Sequence, residues 1–236
     1  MRNSILKLAL AVLLSASLVL TGCVSEGGGG GGVGGPAVLT IDESGNSSFN
    51  STVLGTTLAA LPNEPLNVTE QESLIYMREE EKLAHDVYAY FDGPYGYVNV
   101  FRNISVSEAT HTEAVRQLLL RYALPDPAAS LVAGQFHNTT LQGLYDQLIA
   151  RGSPTVVDAL QVGAAIEEID IIDIQTALIN VDNQDIRLIY DNLLKGSRNH
   201  LRAFVKSLGQ AGVAYVPQYL NRADYDAIIG SPMERG

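Results

Sequence analysis

Acidic side chains outnumber basic ones 26 to 15 in this chain of 236 residues, giving a formal net charge of −11. The basic footprint that nucleic-acid binding requires is therefore absent, and the surplus of acids bears on solubility and partners rather than on fold. One cysteine in the whole chain excludes a disulfide framework.

The chain opens MRNSILKLALAVLLSASLVLTGC, with Arg2 and Lys7 ahead of an apolar run from Leu8 to Leu20. This is the layout of a secretory signal peptide, and the run is short for a membrane span. Leu20-Thr21-Gly22-Cys23 resembles the bacterial lipobox, in which the cysteine receives a diacylglyceryl group and becomes the mature N-terminus. Loss of residues 1–22 moves the net charge from −11 to −13, because Arg2 and Lys7 leave and no acid does. With Cys23 lipidated, no thiol is left for a zinc site or a nucleophile. The glycine run that follows lacks the Gly-Lys-Ser/Thr ending of a phosphate loop. Together with the Ser-, Thr- and Asn-rich stretch to residue 57 it reads as a tether, since such a composition buries too little apolar surface to offset its ordering entropy. The globular domain is expected over residues 58–236. The sequons at Asn46 and Asn103 matter only in a glycosylating organism.

Apolar residues recur at helical intervals in four long segments. The first is predicted over 70–91, with Thr69 and Glu72 in capping-box spacing and Asp92-Gly93-Pro94 as its stop. A second spans 98–123 and ends at Leu124-Pro125-Asp126-Pro127. A third begins at Ser153-Pro154 and runs to 179, and a fourth, capped by Asp182, covers 183–208. No stretch alternates as a strand would, so the fold class is all-α. Short loops join the first helix to the second and the third to the fourth, whereas about 30 residues separate the second from the third. That spacing predicts two antiparallel hairpins joined by a long crossover, the ferritin-like variant of the four-helix bundle. TTLQGLYDQLIARG forms a short helix within the crossover, and the tail YVPQYLNRADYDAII packs another outside.

Polar residues interrupt every apolar stripe. The second helix places Phe101, Ile104, Glu108, His111, Val115, Leu118 and Tyr122 on one heptad seam, so that Glu108 and His111 project from the same face. The first reads Leu74, Met77, Glu81, Ala84, Tyr88 and Phe91; the third reads Leu160, Ala164, Glu167, Asp170 or Ile171, Ile174 and Leu178; the fourth reads Ile186, Ile189, Leu193, Ser197, His200 and Phe204. An isolated buried carboxylate is penalised by several kcal/mol. Facing acids therefore protonate or destabilise the bundle unless cations sit among them. Two divalent cations would cancel four carboxylates, and two neutral imidazoles complete a shell that suits iron or manganese better than copper or structural zinc.

At these residues the chain resembles the ferritin-like di-iron proteins, rubrerythrins among them, which use one Glu on each of two helices and a Glu-x-x-His pair on each of the others. Glu81 followed by Ala84 and Tyr88 looks like their first-helix pattern, and Glu108-Ala-Thr-His111 like the second-helix pair. More closely, MREEEKLAHDVY, SEATH, IEEIDIIDI, GSRNHLRAF and YVPQYL, in that order, resemble an uncharacterised ferritin-like family of bacteria and archaea over residues 66–230. One departure stands out: the fourth helix offers Ser197-Arg-Asn-His200 where the superfamily has Glu-x-x-His. Asp170 can supply the missing charge, with Asp173 or neither as the alternatives; if Asp170 points elsewhere, the second metal is weakly held and a mononuclear site is the alternative.

The implied site is Glu81, Glu108, His111, Glu167, Asp170 and His200 holding a di-iron or manganese centre, with Tyr88 one helical period away as a hydrogen-bond or electron donor. The implied reaction class is ferrous oxidation or peroxide reduction. Lacking a cysteine relay, such a protein needs an external electron donor, and its lipid on Cys23 makes the cell-envelope membrane a partner. Homo-oligomerisation is left open. Glu80 competes with Glu81, and only the family pattern separates them. Glu79, Glu80, Lys82 and Glu168 otherwise read as solvated helix faces, and His85 and His137 as residues outside the site. The rival expectation is a tethered binding or structural module whose polar stripe carries no catalytic metal.

Overall fold

The structure, a computed structural model, describes residues 37–235. The segment read as a signal peptide over 1–22, the expected lipidation site Cys23 and the glycine run lie outside the described residues. Seven helices and one two-stranded hairpin make up the described part. In order these are β1 (Leu39–Ile41), β2 (Ser47–Phe49), α1 (Ser51–Ala60), α2 (Val68–Tyr95), α3 (Val100–Arg121), α4 (Thr139–Gly152), α5 (Val156–Leu178), α6 (Gln184–Gln210) and α7 (Arg222–Gly230). The all-α expectation holds apart from the small hairpin.

The four long helices share one core. α2 packs along α3 and α5 along α6; α3 meets α6, α2 meets α5, and α4 covers the α2–α5 side. Their stripes are as dry as the periodicity demands, with Leu74, Tyr88, Phe91, Phe101, Val115, Ile174, Ile189 and Phe204 all fully buried. Helix ends differ from the sequence reading in chemistry more than in place. α2 starts two residues early, where Asn67 accepts from the Glu70 backbone N–H and Glu70 returns a bond to the Asn67 N–H. It also runs on through Pro94 to Tyr95, because a proline in the last turn removes only one late hydrogen bond. α5 is capped by Thr155, not Ser153, through the Asp158 N–H.

Residues 37–57 belong to the same compact unit as the helices, so the folded part extends ahead of the boundary at 58. β1 and β2 pair antiparallel with Leu39 opposite Phe49 and Ile41 opposite Ser47. Leu39, Ile41, Ser47 and Phe49 turn inward while Thr40 and Ser48 face out. Asp42 closes the connecting loop by accepting from the Ser44 and Asn46 N–H groups, and Gly45 takes φ +89° there. A polar-looking stretch thus carries enough alternating apolar residues, with Leu54 and Leu58 of α1 behind them, to dock on α3. No helix among the described residues is long and apolar enough to cross a membrane.

Candidate metal centre

At one level of the helix core, α2 contributes Glu81, α3 Glu108 and His111, α5 Glu167 and Asp170, and α6 Ser197 and His200. None is more than 7% exposed. The three-residue spacing in α3 and α5 puts each pair on one face, as a helix turn requires.

Glu108 sits at the middle. Its Oε2 lies 2.9 Å from His111 Nδ1 and its Oε1 2.7 Å from His200 Nδ1. Glu81 Oε2 flanks His111 Nδ1 at 3.3 Å, and Glu167 Oε2 flanks His200 Nδ1 at 3.6 Å. The two imidazoles stack with centroids 5.3 Å apart. One donor atom each from Glu108, His111 and His200 falls within 4.8 Å of the others. The result is two half-sites, one His and one terminal carboxylate in each, sharing the Glu108 carboxylate.

Asp170 comes from α5 to the place where α6 offers only Ser197. The Ser197 hydroxyl bonds Asp170 Oδ2, while Asp170 Oδ1 has no hydrogen-bond partner. Both oxygens of Glu81 and the Nδ1 atoms of His111 and His200 are likewise buried without a well-oriented hydrogen bond, although His111 Nδ1 lies within ion-pair distance of Glu81 and His200 Nδ1 of Glu108. Orphaned donors and acceptors of this kind are rare in native interiors, and five of the eight among the described residues belong to this site, the others being both Glu80 oxygens and Asp92 Oδ1. Tyr88, read from the sequence as a hydrogen-bond or electron donor one helical period from the site, donates its hydroxyl to Glu167 Oε1 at 2.6 Å and to the Gly163 carbonyl at 3.3 Å.

Electrostatics follow from this packing. Burial opposes ionisation of Glu108, but the imidazoles of His111 and His200 outweigh it and hold the carboxyl far below its usual range. Burial works equally against charge on His111 and His200, yet Glu108 raises both, His200 to about 9 with help from Glu167. Glu81 is pushed up to about 8 by burial, with His111 opposing. Burial, then repulsion from Glu81, Glu167 and Glu108, lifts Asp170 well above the ordinary carboxylate range.

The choice between Glu80 and Glu81 falls to Glu81, which alone of the two approaches an imidazole. Glu80 turns toward α5, where burial and the neighbouring Asp173 and Asp170 raise its carboxyl. Asp173 is held off the centre by the Tyr76 hydroxyl at 3.2 Å. A narrow cavity bounded by Leu83, Ala84, Leu144 and Ile166 ends on Glu80 and Asp170. The solvated reading of the charge run is overturned: Glu79 and Glu80 are 2% and 5% exposed, and Lys82 is half-buried. Glu168 has no exposure at all, accepting from the Tyr215 hydroxyl and from the backbone N–H groups of Gln218, Tyr219 and Leu220. His85 pairs with Asp86 and His137 is exposed, so neither joins the centre. Arg102 and Arg116 bond Asp92 and Glu113, leaving no surface partner for Glu108 or His111.

The sequence reading missed Ser47. Its Oγ lies 2.7 Å from His111 Nε2 and 3.0 Å from His200 Nε2, touching both rings on the side away from the carboxylates. The signal available was the alternation around Asp42 and Gly45, a turn between two inward-facing pairs.

The profile of the uncharacterized protein domain DUF2202 matches residues 70–232, a span holding every one of the helix-borne centre residues. The chain belongs to the DUF2202 family. The chain is also similar to the uncharacterized protein MJ0754 of Methanocaldococcus jannaschii, which is 46% identical over 179 residues, 76% of this chain and 96% of that protein. The crystal structure of hypothetical protein MJ0754 from the same organism aligns with a TM-score of 0.72, covering 74% of this chain and 99% of that one. Ser47 lies outside the residues that the DUF2202 profile matches.

Proposed function

We propose that this DUF2202 protein is a ferritin-like four-helix bundle holding a di-metal carboxylate centre, iron in preference to manganese, and that it carries out redox chemistry on dioxygen or peroxide. The observation that carries the proposal is the shared Glu108 carboxylate, bracketed by two imidazole Nδ1 atoms at 2.9 and 2.7 Å with Glu81 and Glu167 outside them. The donor set of four carboxylates and two imidazoles suits iron or manganese. The orphaned atoms of Glu81, His111, Asp170 and His200 are the ones such ions would engage. In this reading Glu81, Glu108, His111, Glu167, Asp170 and His200 would hold the ions, with Asp170 standing in for the glutamate absent at Ser197.

Two iron ions held there supply one-electron redox steps toward a small oxidant. The chain's own residues do the rest. Tyr88 fixes the Glu167 carboxylate by donating its hydroxyl to it and, with that proton held by burial beside Glu167 and Glu108, would serve as a hydrogen-bond or electron donor. The cavity beside Asp170, walled mostly by apolar side chains, has room for about one water-sized molecule. Lipidation of Cys23 would anchor the protein to the cell envelope, with electrons arriving from an external donor.

The rival reading, a tethered structural module without metal, is supported by one observation: Glu108 already lies 2.9 and 2.7 Å from the Nδ1 atoms of His111 and His200, distances at which direct pairing needs no ion. Metal content decides between them. Anaerobic loading of the purified chain should give about two irons per chain, lowered by about one or more in Asp170→Ala; under about 0.2 transition metal per chain supports the structural module. A ferrous-oxidation assay then tests the chemistry.

A further inference from the structure

We infer that Ser47, carried on the N-terminal hairpin, is a positioning residue that orients both imidazoles of the centre through a single hydroxyl. The inference rests on the di-metal reading of the site. In each ring Nδ1 faces carboxylates, so an ion bound there takes Nδ1 and leaves the only ring proton on Nε2. Two buried N–H donors then need acceptors. Ser47 Oγ has two lone pairs and stands 2.7 and 3.0 Å from the two Nε2 atoms, so one oxygen satisfies both and fixes the tautomer and tilt of both rings.

The surroundings hold that oxygen in place. Ser47 is 1% exposed, and its backbone N–H donates to Ser107 Oγ at 3.0 Å, one residue before Glu108. The Phe49 N–H donates to Thr110 Oγ1, and the Phe49 ring meets His111 edge-on. α6 leaves room by placing Gly196 opposite: a Cβ there would come within 2.5 Å of His111 Cε1 and 3.0 Å of Ser47 Oγ. At the far end of the hairpin a Cβ on Gly45 would meet the Asn199 carbonyl at 3.0 Å. The hairpin is thus wedged between α3 and α6 directly over the rings. Since Ser47 falls outside the span of the family profile, this chain supplies the partner of its two histidines from a separate N-terminal segment.

The test titrates cobalt(II), a spectroscopic stand-in for ferrous iron, into the wild-type protein and into Ser47→Ala, Ser47→Thr and Ser48→Ala, with histidine ¹⁵N NMR alongside. Ser47→Ala should weaken binding about 10- to 100-fold, the range typical of removing a partner behind a metal-bound His. It should also broaden or shift the Nε2–H signals of both His111 and His200. Ser47→Thr, which keeps the hydroxyl, should recover most of the affinity, and Ser48→Ala, on the outward face, should match wild type. If Ser47→Ala stays folded by circular dichroism and binds within about two-fold of wild type, or disturbs neither ring, the inference is overturned while the metal centre stands. If Ser47→Ala does not fold, an affinity of Ser47→Thr no better than that of a Ser107→Ala variant overturns it as well. A wild-type protein that takes up no cobalt overturns the di-metal reading itself, and the inference with it.

Discussion

Glu168 shows how much one side chain can do far from the centre. It lies in α5 next to Glu167, but it faces the opposite way and gathers the Tyr215 hydroxyl and three successive backbone N–H groups of the tail. Burying an ion is tolerable here because every lone pair is engaged. Glu168→Ala leaves those donors unsatisfied, so a loss of about 2–4 kcal/mol is expected in urea unfolding, with early hydrogen exchange across residues 215–230. A change under about 0.5 kcal/mol would show that the tail is held by its apolar contacts alone. Adjacent acids with opposite duties are invisible to a charge count. In a helix a one-residue step rotates the side chain about 100°, and only the stripe pattern separated Glu167 from Glu168.

At the scale of the element, α2 does two jobs with its two faces. Inward it presents Glu81 and Tyr88. Along another face Glu79 accepts from the His137 and Asn138 N–H groups, Lys82 bonds the Val132 and Gln135 carbonyls, and Asp86 accepts from Gly134. A run that looks like a solvated helix face is instead the clamp on the crossover loop, whose backbone has few partners of its own. Burial opposes charge on Asp86, but His85, Lys82 and the Gly134 N–H outweigh it and bring the carboxyl below its ordinary 3.8. A depressed folded value means that this stabilisation is complete above the unfolded value and is lost as pH falls through the folded one. Asp86→Asn is therefore expected to be less stable than wild type near neutrality by about 1–3 kcal/mol, and the gap should close in urea melts run progressively below pH 3.8. A gap that persists unchanged in acid would assign the loss to packing rather than charge.

Across the whole molecule, the centre ties together segments that are distant in sequence. Ser47 meets rings 64 and 153 residues away, and α2, α3, α5 and α6 each contribute to the same few ångströms. An ion bound there would bind only the folded chain, so it should stabilise by mass action, about 2.7 kcal/mol at a hundred-fold excess over Kd. The expected outcome is a melting temperature that rises on anaerobic ferrous loading and falls back on chelation. Deuterium uptake in the hairpin over residues 39–49 should slow in step. A melting temperature indifferent to metal would leave only the structural module.

Much of this was legible in one dimension. Helical periodicity is a local property, so the four long helices, the short helix in the crossover and the presence of Glu108 and His111 in a buried stripe could be read from spacing alone. The interruption of each stripe by polar groups pointed to one shared site for the same reason. Local pattern has no means of saying that Glu81 rather than Glu80 approaches an imidazole, that Tyr88 turns to Glu167, or that Asp170 meets Ser197. Nor could it place a polar hairpin over the histidines, since that contact exists only once α3 and α6 are side by side. The sequence by itself determined the helices and the residues able to hold charge inside them. Tertiary structure decided which of those charges meet, because the energy of a buried ion is set by its neighbours across space and not by its neighbours along the chain.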